Sequence, residues 1–196
     1  MINRPVTWDN TRAASFGGGE KLPAGGYVIT IRKAEVKISD SGYQYLDLSI
    51  DIAEGEWAGF YLKDWSSQTG PDKRWKGHYR QGIPVGDAQR DSYFKGMITA
   101  IEESNPGYTW DWNEQSLVGK IGGCLFRDEE YDFNGYQGFT ARPFRMTSAD
   151  KVRKGEFQIP ARRMLNQNGQ QTQTPPAMQT GIPAGFEGID DDSIPF

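Results

Sequence analysis

The chain has 196 residues, of which 36% are hydrophobic, 24% charged and 13% aromatic, with 24 Gly and 11 Pro, a composition that suits one globular domain plus some unstructured chain. No run approaches the roughly 20 apolar residues of a membrane helix, and Met1 to Asn10 lacks the charged-then-apolar pattern of a signal peptide, so a cytoplasmic location and no membrane contact are expected. The net charge of -4 divides unevenly: Met1 to Leu165 holds all 22 Lys+Arg and 22 of the 26 acids, and the remaining four acids lie beyond it.

Residues 1–25, with Gly17-Gly18-Gly19 and Pro23-Ala24-Gly25-Gly26, read as an irregular arm. A first strand follows from Gly26 to Ile38. Tyr27, Ile29 and Ile31 alternate, then Ala34, Val36 and Ile38 continue with reversed parity, which predicts a bulge or bend at Arg32-Lys33. After a turn at Ser39 to Gly42, Leu46, Leu48, Ile50 and Ile52 alternate with Asp47, Ser49 and Asp51, the pattern of a half-buried strand with Tyr43 and Tyr45 on its polar side. Gly59-Phe60-Tyr61-Leu62-Lys63 predicts a third strand ending near Trp65.

Phe94, Met97, Ile98 and Ile101 fall at i, i+3, i+4 and i+7, with Asp91 near the start and Asn105-Pro106-Gly107 at the stop, and predict an amphipathic helix. Two strands, about Lys120 to Glu130 and Tyr136 to Arg145, flank Asn134-Gly135, a dipeptide suited to a tight hairpin turn. The expected fold is mainly β in the order β-β-β-α-β-β, which is the order of the OB-fold, a five-stranded Greek-key barrel. The predicted domain spans 26–165. From Asn166 the chain turns to Gln, Thr, Pro and Gly and cannot bury enough surface to offset its entropy, so 166–196 reads as a disordered linker and tip.

Enzyme motifs are incomplete, and no catalysis, metal or cofactor is expected. One Cys (Cys124) and one His (His78) leave no intramolecular disulfide and no ordinary zinc set. His78 sits among four cations with no acid in the run to orient it. Gly119-Lys120 is followed by Ile121 and lacks the P-loop spacing. Glu35-Val36-Lys37 has no Pro-Asp upstream to complete a nuclease site. Asp128-Glu129-Glu130 alternates across a strand, so its carboxylates diverge.

Cations interleaved with rings fit single-strand binding, because every base offers a face to stack and every phosphate a charge. Lys73-Arg74-Trp75-Lys76-Gly77-His78-Tyr79-Arg80 has that character, with Trp57, Tyr61, Lys63 and Trp65 just upstream. Arg32, Lys33, Lys37, Tyr43 and Tyr45 on the first two strands, and Arg142 and Arg145 on the last, complete the candidate set. Each ring has a competing reading as a core residue beneath a solvated basic loop. Arg142 to Arg163 holds seven cations against Asp150 and Glu156 and reads either as groove lining or as a dock for the acidic tail.

The last seven residues, Asp190-Asp191-Asp192-Ser193-Ile194-Pro195-Phe196, resemble the acidic tip of bacterial single-stranded-DNA-binding proteins, with Ser193 inserted between the acids and Ile194. A terminal Phe can fill an apolar pocket while its carboxylate meets a cation, and the acids steer the encounter. The body, with Leu22-Pro23-Ala24-Gly25-Gly26-Tyr27 and Leu117-Val118-Gly119-Lys120, is similar to tailed-phage single-stranded-DNA-binding proteins. The resemblance implies a barrel that coats single-stranded DNA in phage replication, recombination or repair, in the bacterial host's cytoplasm. It also implies recruitment of partner enzymes through Asp190, Asp191, Asp192, Ile194, Pro195 and Phe196, and is compatible with a homo-oligomer. The alternative is an interaction adaptor or recombination mediator with little affinity for the strand.

Overall fold

β1 (Gly25–Ile38) carries the predicted change of parity. Ile29 and Ile31 are buried, the pairing with the next strand shifts register between Ile31 and Lys33, and Ala34 is the next buried position. The bulge keeps the apolar side of the strand inward on both sides of the kink. Beyond Ala34 the core runs out, and Val36 and Ile38 are exposed. The computed structural model describes residues 3–6, 8, 20–133 and 136–165; most of the N-terminal arm and all of 166–196, including Asp190, Asp191, Asp192, Ile194, Pro195 and Phe196, lie outside them.

A tight turn leads into β2 (Gln44–Ile52). The Gly42 N–H donates to the Ser39 carbonyl at 2.9 Å and the Tyr43 N–H donates to the Ser39 hydroxyl at 3.0 Å, with Gly42 at φ 83, where only glycine sits without strain. Leu46, Leu48, Ile50 and Ile52 are buried, as their alternation predicts. Asp47 and Asp51, expected on a solvated face, are buried too.

Gly59 to Lys63 is not a strand. Gly59 takes φ 72 and α1 (Phe60–Ser67) starts immediately after it. The helix is capped from outside: Asp51 Oδ1 accepts the Tyr61 N–H at 3.0 Å and the Ile52 N–H at 3.0 Å, satisfying a donor that the first turn would otherwise leave orphaned. Tyr61 is buried in the core and Phe60 meets Trp57 edge-on at 5.7 Å. The third strand is β3 (His78–Gly82), in a run that reads as a basic loop. It enters the sheet through Gly77, where any Cβ would collide with the Ile50 carbonyl and the Tyr61 ring.

α2 (Ala88–Ser104) begins at Asp87, whose side chain accepts the Arg90 N–H at 2.8 Å, and buries Phe94, Met97, Ile98 and Ile101 as expected. Asn105 fastens its end to the next strand, donating to the carbonyls of Ile101 and Ile121, each at 2.7 Å, and accepting the Ile121 N–H at 3.2 Å. β4 (Ile121–Phe133) and β5 (Tyr136–Thr147) form an antiparallel pair with Phe133 opposite Tyr136. The turn residues Asn134-Gly135 lie outside the described set. α3 (Ala149–Lys154) follows. The chain then runs along the free edge of β4, where the Arg163 N–H donates to the Asp128 carbonyl and its carbonyl accepts the Glu130 N–H, both at 2.9 Å.

The fold is mainly β, one antiparallel five-stranded sheet in the order β3-β2-β1-β4-β5. The helix between the third and fourth strands is where the sequence puts it. α1 and α3 are additions to the expected β-β-β-α-β-β order. The core lies between one face of the sheet and α2, around Ile29, Ile31, Leu48, Ile50, Phe126 and Ile101. Tyr79 on β3 is buried in it, with its hydroxyl donating to Gln81 Oε1 at 3.1 Å, and the two edge strands, β3 and β5, approach one another. No helix among the described residues is long and apolar enough to cross a membrane.

Asp51 links three elements, because Arg32 also reaches it at 3.2 Å. Asp51→Ala strips the cap from α1 and leaves the buried N–H groups of Ile52 and Tyr61 without an acceptor, a loss of about 2 kcal/mol. Denaturant unfolding is expected to show that loss; an unchanged midpoint contradicts the assignment.

Candidate functional site

Strand register puts one set of polar residues on the outer face of β1, β2 and β3. Lys33 pairs with Ser49, Glu35 with Asp47 and Lys37 with Tyr45; across the next ladder Tyr45 pairs with Gly82, Asp47 with Arg80 and Ser49 with His78. Because side chains alternate along a strand, these residues share the side away from Leu46, Leu48 and Tyr79.

Asp47 is the centre of this face. Its side chain is 2% exposed and is hydrogen-bonded by the Lys37 ammonium and by His78 Nδ1 at 3.0 Å, with Arg80 Nε at 3.9 Å. Thus His78 does have a carboxylate to orient it, supplied by the neighbouring strand. Its other nitrogen, Nε2, faces the Trp75 carbonyl at 3.0 Å. A ring committed on both nitrogens has none left to activate a nucleophile. Lys37 and Arg80 keep 41% and 43% of their side chains exposed, so the acid lies underneath and the cations lie at the surface. Lys33 pairs with Glu35 at 2.7 Å, and Arg32 reaches down to Asp51.

Two tyrosines flank the cluster. Tyr43 and Tyr45 stack with ring centroids 6.5 Å apart and planes 21° from parallel. The Arg90 guanidinium lies 4.2 Å from the Tyr43 centroid and that of Arg80 lies 5.6 Å from the Tyr45 centroid, both within cation–π range. Gly82 makes room for this arrangement, since the Tyr43 hydroxyl occupies the place of its missing side chain. Arg90 stands on α2 and carries no local sign of this role; only the tertiary fold brings it to Tyr43.

The remaining sequence candidates scatter. Trp65 is 39% exposed on α1 and holds Lys73 at 4.8 Å from its ring. Lys63 and Arg74 are exposed nearby, and Lys76 pairs with Asp64 at 2.8 Å. Trp57 is half-buried against Phe60. Trp75 is half-buried and directs its indole N–H inward, to the carbonyls of Ile50 at 3.1 Å and Gly77 at 3.0 Å. Tyr61 and Tyr79 are core residues, and burial pushes both hydroxyls well above their ordinary pKa, so for these two the core reading holds and base stacking does not. On β5, Arg142 lies 3.6 Å from Glu129, and Arg145 sits between the rings of Tyr93 and Phe144 at 5.6 and 5.5 Å.

No protein-family model matches the chain, and no curated protein matches its sequence.

Burial alone would raise the Asp47 carboxyl, but hydrogen bonds from His78 and Lys37 outweigh it and hold the group at about 2. A carboxylate depressed in the folded chain stabilises it fully above its unfolded value of about 3.9 and loses that contribution as pH falls toward the folded value. Asp47→Asn is therefore expected to lose about 2 kcal/mol at neutral pH and to flatten the decline in stability between about pH 4 and pH 2, read by denaturant unfolding across a pH series. A variant as stable as wild type at pH 7, with an unchanged acid limb, contradicts this.

Proposed function

We propose that the chain is a non-catalytic single-stranded-DNA-binding protein of the phage type. Its sheet closes into an OB-fold barrel that coats the strand in replication, recombination or repair. The outer face of β1, β2 and β3 carries this reading: Lys33, Lys37 and Arg80 hold exposed charge beside the stacked rings of Tyr43 and Tyr45, half-buried Arg90 lies against Tyr43, and Asp47 and Asp51 are buried beneath. A phosphate chain approaching that face meets cations first, and bases find aromatic surface among them.

Three further observations support it. β1 is central in the order β3-β2-β1-β4-β5, and β3 approaches β5, the neighbour relations of an OB barrel, whose second and third strands are its usual binding surface. Trp65 with Lys73, and Arg145 with Tyr93 and Phe144, extend the aromatic and cationic surface beyond the sheet face. Both nitrogens of His78 are committed, in keeping with a binding role rather than catalysis. Partner recruitment falls to Asp190, Asp191 and Asp192, which speed the encounter, and to Ile194, Pro195 and Phe196, which supply the apolar contact.

Fluorescence anisotropy of labelled oligo-dT, set against duplex of equal length at low and high salt, tests the proposal. The full chain is expected to prefer the single strand, with affinity falling as salt rises. Tyr45→Ala and Trp65→Ala should each cost about 1 to 3 kcal/mol of binding if a base stacks there, with melting close to wild type. Trp75→Ala should instead destabilise the fold, because it removes core packing and two inward hydrogen bonds. Absent or salt-insensitive binding overturns the proposal and favours an adaptor that binds another protein.

A further inference from the structure

A second charged feature lies away from the outer face of β1, β2 and β3. A cleft of about 380 Å³, open to solvent, runs between α2 and the junction of β5 with α3. Its size is within the usual range for small-ligand sites. One wall presents Ser92, Lys95 and Thr99 of α2, the other Thr147 and Lys151. The two ammonium groups thus come from separate elements. Neither has a carboxylate within ion-pair distance among the described residues, and Asp150, next to Lys151 in the chain, is held by Arg153 at 2.7 Å. Among the described residues, Glu103 is the only acid lining the cleft.

Gly96 stands between Lys95 and Thr99 on the α2 wall, and a Cβ there would meet nothing within 4 Å. Packing within the chain therefore places no demand for glycine, although glycine in a helix interior is less favourable than alanine. Its effect is to leave the helix backbone bare to whatever enters the cleft.

We infer that this cleft binds a phosphate group, with Lys95 and Lys151 as the opposed cations and Ser92, Thr99 and Thr147 as hydroxyl donors. A tetrahedral anion offers oxygens in several directions, which matches donors on two walls better than a planar carboxylate does. Lysine serves as a mobile point charge suited to that role. The phosphate is either a phosphodiester of a nucleic-acid strand or a free phosphate. The site does not depend on the sheet-face proposal, so either can fail alone.

Amide NMR of the full chain tests the inference, with inorganic phosphate titrated against sodium chloride at matched ionic strength and, separately, with oligo-dT. Saturable shifts at Ser92 to Thr99 and Thr147 to Lys151 are expected. Shifts with inorganic phosphate assign a free-phosphate site; shifts with oligo-dT alone assign a phosphodiester site. Lys95→Gln combined with Lys151→Gln should weaken the response by about ten-fold or more, as expected for loss of two charge-assisted contacts, with the melting temperature unchanged. Shifts confined to Tyr43, Tyr45 and their neighbours leave the sheet face standing and overturn the cleft. So does a response that survives in the double variant.

Discussion

A carboxylate with 2% of its side chain exposed must be paired, because desolvation without compensation costs several kcal/mol. Asp47 satisfies that requirement by drawing Lys37 from β1 and His78 and Arg80 from β3 onto one point of β2. Three strands are thereby locked in a single register, and three long side chains are fixed on one face. Asp51, four residues on and on the same side of β2, does the same for Arg32 and for the first turn of α1. The two buried acids set both the geometry of the outer face and the start of the helix beside it.

Their placement also decides what that face presents to solvent. The folded body is neutral by residue count, yet its acids and cations are not equally accessible. Asp47 and Asp51 lie beneath basic side chains that remain nearly half exposed. Affinity for a polyanion follows local potential rather than global charge. The aromatic residues divide along similar lines. Tyr61 and Tyr79 fill the core, Trp75 is held by inward hydrogen bonds, and Tyr43, Tyr45 and Trp65 keep surface beside a cation.

What the sequence made legible was whatever repeats locally. The alternation of Leu46 to Ile52, the helical spacing of Phe94 to Ile101 and the parity change at Arg32 each reflect a side facing the core, and each is present in the structure. The misread segments depend on distant groups. Phe60 to Lys63 is a short aromatic and apolar run that reads as a strand, but Asp51 caps it as a helix. His78 to Gly82 looks like a basic loop, and becomes a strand because β2 offers it a ladder and an acid 31 residues away. Tyr43 and Tyr45 could be placed on the polar side of β2 from spacing alone, whereas Arg90 reaches Tyr43 only through the packing of α2.

On the proposed function, a single strand lies on the outer face of β1, β2 and β3. Ultraviolet cross-linking of the full chain to oligo-dT, with the modified residues located by mass spectrometry, tests this placement. Cross-links at Tyr43 or Tyr45 and in the peptide spanning His78 to Gly82 are the predicted result. Cross-links confined to other surfaces, with that face unmodified at saturating oligo-dT, would contradict it.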